Sequence, residues 1–136
     1  MKPKVAFICI GNSCRSQMAE GFARHYGDNV VDAYSAGTEP AADINPHAVL
    51  VMREAGIDIN SQYPKLLQDI PSEIDIVITM GCNVQCPFIP SRHREDWGLE
   101  DPVGKPVGEF RKIRDIIKEN VMNLVKRFEE HGIDGL

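Results

Sequence analysis

At 136 residues, with 43% hydrophobic and 26% charged residues, the chain has the size and composition of one globular domain, 1–136, around a single core. A formal net charge of −5 argues against nucleic acid or an anionic membrane as partner, so any anion site must make its positive potential locally. No apolar run reaches the length of a membrane span, and residues 1–4 lead straight into a strand pattern, so the expectation is a cytoplasmic monomer.

Residues 4–10 are β-branched and aromatic without a breaker, the pattern of a buried strand. A short loop, 11–14, separates it from a helix over 15–26, where Met18, Ala19, Phe22, Ala23 and Tyr26 share a face and Gly27 is the stop. Residues 30–36 read as a second strand ending in Ser35-Ala36-Gly37. Asn45 and Pro46 read as N-cap and first helical residue of a helix to Ala55, ended by Gly56. Residues 62–70 have room for a short helix. Residues 74–80 form a third strand, followed by a loop bearing Cys82 and Cys86, and 95–99 is a candidate fourth strand running into Asp101-Pro102. The longest helix spans 108–128, its stripe of Phe110, Ile113, Ile117, Val121, Leu124 and Phe128 facing the core. The residues after His131 are expected to fray.

Alternating strands and helices imply an α/β fold with a parallel sheet covered on both faces, and ligands in such sheets bind beyond the carboxyl ends of the strands. Cys9, Cys82 and Asp101 each follow such an end. The four cysteines form two close pairs, Cys9 with Cys14 and Cys82 with Cys86. In a reducing compartment they point to redox, catalytic or metal chemistry before a structural disulfide framework. Zinc is disfavoured, because the Cys82–Cys86 pair has no matching second pair. The four histidines form no ligand cluster, and no metal or other cofactor is predicted.

The densest signal is Cys9-Ile10-Gly11-Asn12-Ser13-Cys14-Arg15-Ser16. A cysteine at a strand end, followed by a loop and a helix start, faces backbone N–H groups that favour a thiolate and bind a tetrahedral oxyanion. Cys9 alone reads as a small buried hydrophobe; with the arginine it reads as a nucleophile. Ile10, Gly11, Asn12, Ser13, Cys14, Arg15 and Ser16 then form the substrate cradle. Gly11 and Asn12 tolerate positive φ, Arg15 grips two oxyanion oxygens through its fork, and Ser16 is expected both to donate to Cys9 and to cap the helix. Cys14 is a packed loop residue, although oxidation to a Cys9–Cys14 bond is a side reaction open to it. Asp101 is placed to protonate a leaving oxygen.

Cys9 through Ser16 with Gln17-Met18-Ala19-Glu20, and Tyr34-Ser35-Ala36-Gly37, resemble the low-molecular-weight protein tyrosine phosphatase superfamily. The Gln-Met-Ala-Glu continuation is closer to its arsenate reductase branch. Asn45-Pro46-His47-Ala48, Gly56-Ile57-Asp58-Ile59, Glu95-Asp96-Trp97-Gly98 and Asp101-Pro102 extend the match over most of the chain. The resemblance implies a three-layer fold with a four-stranded parallel sheet flanked by helices. It also implies a relay: Cys9 attacks arsenate, Asp101 assists departure of water, Cys82 attacks Cys9 as arsenite leaves, and Cys86 takes over the disulfide for reduction by thioredoxin.

This sequence departs from those relatives at two points. Only three residues separate Cys82 from Cys86, fewer than usual, and Lys65 stands where some relatives place an acidic potassium ligand beside groups matching Asn12, Glu20 and Ser35. A lysine ammonium serves in place of the cation, so potassium is not predicted. The alternatives are a phosphotyrosine phosphatase, a reductase drawing on glutaredoxin or another small thiol, and a catalytically idle redox sensor. The missing tyrosine beside Asp101-Pro102 speaks against phosphotyrosine.

Overall fold

The computed structural model describes residues 2–81 and 89–136, so Cys82 and Cys86 lie outside the described residues. Four strands, β1 (Lys4–Cys9), β2 (Asp32–Gly37), β3 (Ile76–Thr79) and β4 (His93–Asp96), form one sheet in the order β2-β1-β3-β4. Every pairing is parallel, with Cys9 opposite Gly37 and Thr79 opposite Asp96. β1 lies between the first strand that follows it and the second, so the strand order reverses beside Cys9. That is the switch point where open α/β sheets bind ligands.

Side chains alternate across the sheet because successive Cβ atoms in a strand point to opposite faces. Val5, Phe7 and Cys9 join the larger core cluster, to which α1 (Arg15–Gly27), α2 (Pro46–Glu54) and α3 (Val107–His131) contribute. Ala6 and Ile8 join Ala36, Ile74 and Val77 on the opposite face, where Leu67, Ile70 and Ile89 pack over them. The expected parallel sheet is present, with its second face covered by the stretch around a 3₁₀ turn at Leu67–Asp69.

α3 buries Phe110, Ile113, Ile117, Val121 and Leu124, the i, i+3, i+4 stripe read from the sequence. Asn45 caps α2, its side chain accepting from the His47 N–H with Pro46 at the first turn. Four expectations change. Tyr26 is exposed and stacks on Phe22 at 6.2 Å between ring centroids, outside the buried face of α1. β4 covers His93–Asp96 rather than 95–99: Gly98 turns the chain at φ 57°, and Trp97 N–H already closes the strand end on the Thr79 carbonyl. α3 continues beyond Phe128 to His131. The C-terminus forms a 3₁₀ turn at Ile133–Gly135 instead of fraying, because Ile133 and Leu136 pack against the core. Among the described residues no helix is long and apolar enough to cross a membrane.

Candidate active site

β1 delivers Cys9, 3% exposed, to the sheet's carboxyl edge. The following loop turns its carbonyls outward: those of Ile10, Gly11 and Ser13 accept from the N–H groups of Glu39, Ala41 and Asn45. C=O and N–H of a planar trans peptide point in opposite directions, so the N–H groups of Gly11, Asn12 and Cys14 turn the other way. One of them, Asn12 N–H, donates to Cys9 Sγ at 3.1 Å.

A single left-handed residue makes the turn, Asn12 at φ 47°. Gly11 is not in that region, and a Cβ there would meet only Ser13 Oγ at 3.5 Å. Asparagine is among the few non-glycine residues that tolerate this conformation, and both ends of its amide are engaged here. Nδ2 donates to Ser16 Oγ at 2.7 Å, while Oδ1 accepts from Lys65 N–H at 2.9 Å and Gln17 Nε2 at 3.0 Å. Gly37 closes the loop from the side: a Cβ there would stand 2.5 Å from the Ile10 carbonyl oxygen and 3.0 Å from Asn12 N.

Ser16 Oγ lies 2.8 Å from Cys9 Sγ. When Cys9 is a thiolate, Ser16 must be the donor, because the sulfur then has no proton to give. The expected role in capping is not taken. Cys14 is the N-cap of α1 and makes no side-chain cap bond, which leaves the first N–H groups of the helix for an anion. Cys14 itself is 2% exposed. Its thiol is pushed far above the ordinary value by burial, then by the charges of Asp101 and Cys9, against the opposing effect of Arg15. That direction favours the neutral thiol at Cys14.

Arg15 is buried, and its NH1 donates to the carbonyls of Met80 at 2.7 Å and Leu99 at 2.8 Å. Asp101 Oδ2 lies 3.9 Å from Arg15 NH2, and its Oδ1 accepts from Val103 N–H at 3.1 Å. The structure thus gathers Cys9, Arg15, Ser16 and Asp101 from two distant stretches of sequence. Asp101 stands exposed at the rim, where a carboxyl can exchange protons with solvent between steps.

In the layer beneath the loop, the family resemblance had singled out Glu20, Ser35 and Lys65, while the role of Gln17 was missed. Gln17 is fully buried; its Nε2 also donates to the carbonyls of Asn12 and Tyr63, and its Oε1 accepts from Gln62 Nε2. Glu20, 3% exposed, is held by Ser35 Oγ, by Arg24 at 2.8 Å and by Lys65 Nζ at 3.6 Å. Lys65 therefore brings its ammonium to the buried carboxylate, in the neighbourhood where the family resemblance put a cation. Among the described residues, no group of three or more His, Cys, Asp or Glu side chains is placed to hold a metal ion. A cleft of about 580 Å³ opens at Glu20, Tyr34, Gln62, Tyr63 and Lys65, not at Cys9. A tetrahedral oxyanion needs no deep pocket, only a cradle of N–H groups.

A buried cysteine sulfur under an N–H cradle, an immobilised guanidinium and a rim carboxylate stand together, an arrangement suited to a thiol centre for oxyanions. The chain belongs to the low molecular weight phosphotyrosine protein phosphatase family, whose model matches residues 4–132. Within that family, arsenate reductase 1 of Staphylococcus epidermidis is 42% identical over 130 residues, covering 93% of this chain and 98% of the relative. An arsenate reductase solved in its phosphate-binding state superposes with a TM-score of 0.84 at 42% identity, covering 93% of this chain and 98% of its own. The thioredoxin-dependent arsenate reductase of Corynebacterium glutamicum superposes at 0.78 with 33% identity, covering 95% of this chain and 63% of its own.

Proposed function

We propose that this chain is a thiol-dependent arsenate reductase that draws its electrons from thioredoxin. The observation that carries the chemistry is Cys9 Sγ receiving Asn12 N–H at 3.1 Å and standing 2.8 Å from Ser16 Oγ, inside the cradle that Arg15 closes. The arsenate reductases at 42% identity over nearly their whole length support arsenate as the oxyanion. The thioredoxin-dependent relative supports the donor.

Cys9 thiolate attacks arsenic while Arg15 and the loop N–H groups hold the remaining oxygens. An arsenic–oxygen bond breaks, and Asp101 gives the departing oxygen a proton so that it leaves as water. The product is a Cys9 sulfur–arsenic(V) adduct. Cys82 thiolate then attacks Cys9 Sγ; the sulfur–arsenic bond breaks, its electron pair stays on arsenic, and arsenite departs. Two thiols have supplied the two electrons as a Cys9–Cys82 disulfide. Attack of Cys86 on Cys82 frees Cys9 and leaves a Cys82–Cys86 disulfide for the donor. With three residues between Cys82 and Cys86, this last exchange needs the two Cα atoms within about 7 Å.

A monomer working in the cytoplasm, with no metal, fits this chemistry, since thiols stay reduced there. The relay is tested by reacting Cys86→Ser with one equivalent of arsenate and mapping disulfides by mass spectrometry. A trapped Cys9–Cys82 bond is expected, and a Cys9–Cys14 bond in its place contradicts the order of steps. A phosphatase needs Cys9, Arg15 and Asp101 but neither Cys82 nor Cys86. Arsenate turnover that survives Cys82→Ser therefore excludes the relay.

A further inference from the structure

We propose that Asp96 is a positioning residue for Arg15, acting through the one peptide group that joins Met80 to Gly81. Both ends of that peptide are engaged. Its carbonyl accepts from Arg15 NH1 at 2.7 Å, and its N–H donates to Asp96 Oδ1 at 2.9 Å. The same Oδ1 accepts from Thr79 Oγ1 at 2.7 Å, so the carboxylate grips the chain on both sides of Met80. Because the peptide is planar, fixing the direction of its N–H fixes the direction of its C=O.

That direction matters for the guanidinium. The NH1 nitrogen carries two hydrogens, and both are spent: one on Met80, the other on the Leu99 carbonyl at 2.8 Å. Leu99 is itself tied to Met80 by its N–H, which donates to Met80 O at 3.2 Å. Arg15 therefore keeps only its Nε and NH2 hydrogens, the paired edge of the fork, for an oxyanion. Bidentate binding demands that this edge be aimed correctly. If the Met80–Gly81 peptide tilts, the fork tilts with it.

Gly81 is part of the same device. It takes φ 101°, and a Cβ there would stand 3.0 Å from both N and O of Leu99, backbone atoms that cannot step aside. Asp96, by contrast, is exposed, so solvent screens its charge. What Asp96 supplies is an acceptor oxygen at a fixed place. Asp96→Asn retains such an oxygen and Asp96→Ala does not.

The role rests on Arg15 being the oxyanion clamp proposed above, and one experiment separates the two. Inorganic phosphate is used as probe, and its affinity is read from protection of Cys9 against iodoacetamide, followed by mass spectrometry of the Cys9 peptide in the reduced full chain. Asp96→Ala is expected to weaken phosphate about tenfold, and Asp96→Asn to stay within about twofold of wild type. In an Arg15→Lys background, where no fork remains to be aimed, adding Asp96→Ala is expected to change affinity by less than about twofold. A merely structural Asp96 would produce the same loss in both backgrounds, and that additivity overturns the proposal. Wild-type affinity in Asp96→Ala with weakened binding in Arg15→Lys overturns the proposal alone. Wild-type affinity in Arg15→Lys overturns the clamp, and the proposal with it.

Discussion

Ser16 Oγ stands 2.8 Å from Cys9 Sγ while accepting from Asn12 Nδ2 at 2.7 Å. When Cys9 is a thiolate the hydroxyl's own proton points at the sulfur, and one side chain links the left-handed loop residue to the site's cysteine. A hydrogen bond to a charged acceptor is worth about 1.5–3 kcal/mol. Ser16→Ala should therefore slow Cys9 alkylation at neutral pH, and arsenate turnover, by about tenfold or more. Alkylation at the wild-type rate contradicts the link.

Gly37 and the loop are in contact so close that no side chain fits. The Cβ of Gly37→Ala would stand 2.5 Å from the Ile10 carbonyl oxygen, and that carbonyl is already held by Glu39 N–H. Overpacking of this kind costs about 1–3 kcal/mol. The expected outcome is a lower urea midpoint together with weaker phosphate protection of Cys9. Unchanged phosphate protection contradicts the claim that β2 sets the loop's shape.

Lys65 is the nearest cation to one oxygen of the buried Glu20, at 3.6 Å, with Arg24 on the other. Removing one partner of a buried pair costs up to about 3–5 kcal/mol. With Arg24 and Ser35 remaining, Lys65→Met should lose about 2 kcal/mol in urea unfolding. Wild-type turnover should be equal in potassium and sodium chloride at matched ionic strength, and a potassium-specific rate increase contradicts the assignment of Lys65 as the site's cation.

Glu95 joins β4 to α3, bonding His93 at 2.6 Å, Trp97 at 3.0 Å and Arg127 at 2.9 Å. Burial opposes its ionisation, but the bonds from His93 and Trp97 and the charge of Arg127 outweigh it and hold the carboxyl below the usual range. A depressed carboxyl pKa gives stability that is present above the unfolded value, about 4.3, and lost as pH falls through the folded one. Glu95→Gln should cost about 1 kcal/mol at pH 6, and the gap should shrink as pH falls below the unfolded value and through the folded one. A gap that widens with acid contradicts the sign.

Much of this was legible in the sequence where local rules and tertiary needs agree. The β1 run, the Asn45-Pro46 start of α2 and the α3 stripe each satisfy their own propensity and the packing of the sheet. The loop signature identified Cys9 and Arg15, and the two stand in one site. β4 begins two residues before its expected range because its pattern of half-buried and exposed residues belongs to an edge strand, and the apolar-looking 97–99 is taken up by the turn at Gly98. Gln17 and Asp96 carried no local signal of their roles. Each acts on backbone groups brought near by the fold: the Asn12 and Tyr63 carbonyls for Gln17, and the Met80–Gly81 peptide for Asp96. Tyr26 fits the helical period, yet in the last turn of α1 the core is met by Ala23 and Gly27 instead, and Tyr26 is exposed.

The central claim is that Cys9 turns the electrons of thiols onto arsenate. Its most direct test is the consumption of reduced thioredoxin, measured with and without arsenate, beside glutaredoxin as an alternative donor and Cys9→Ser as control. Arsenate-dependent oxidation of thioredoxin with release of one arsenite per disulfide, absent in Cys9→Ser, is the expected result. No arsenate-dependent thiol loss with either donor, alongside rapid hydrolysis of a phosphotyrosine analogue, would contradict it.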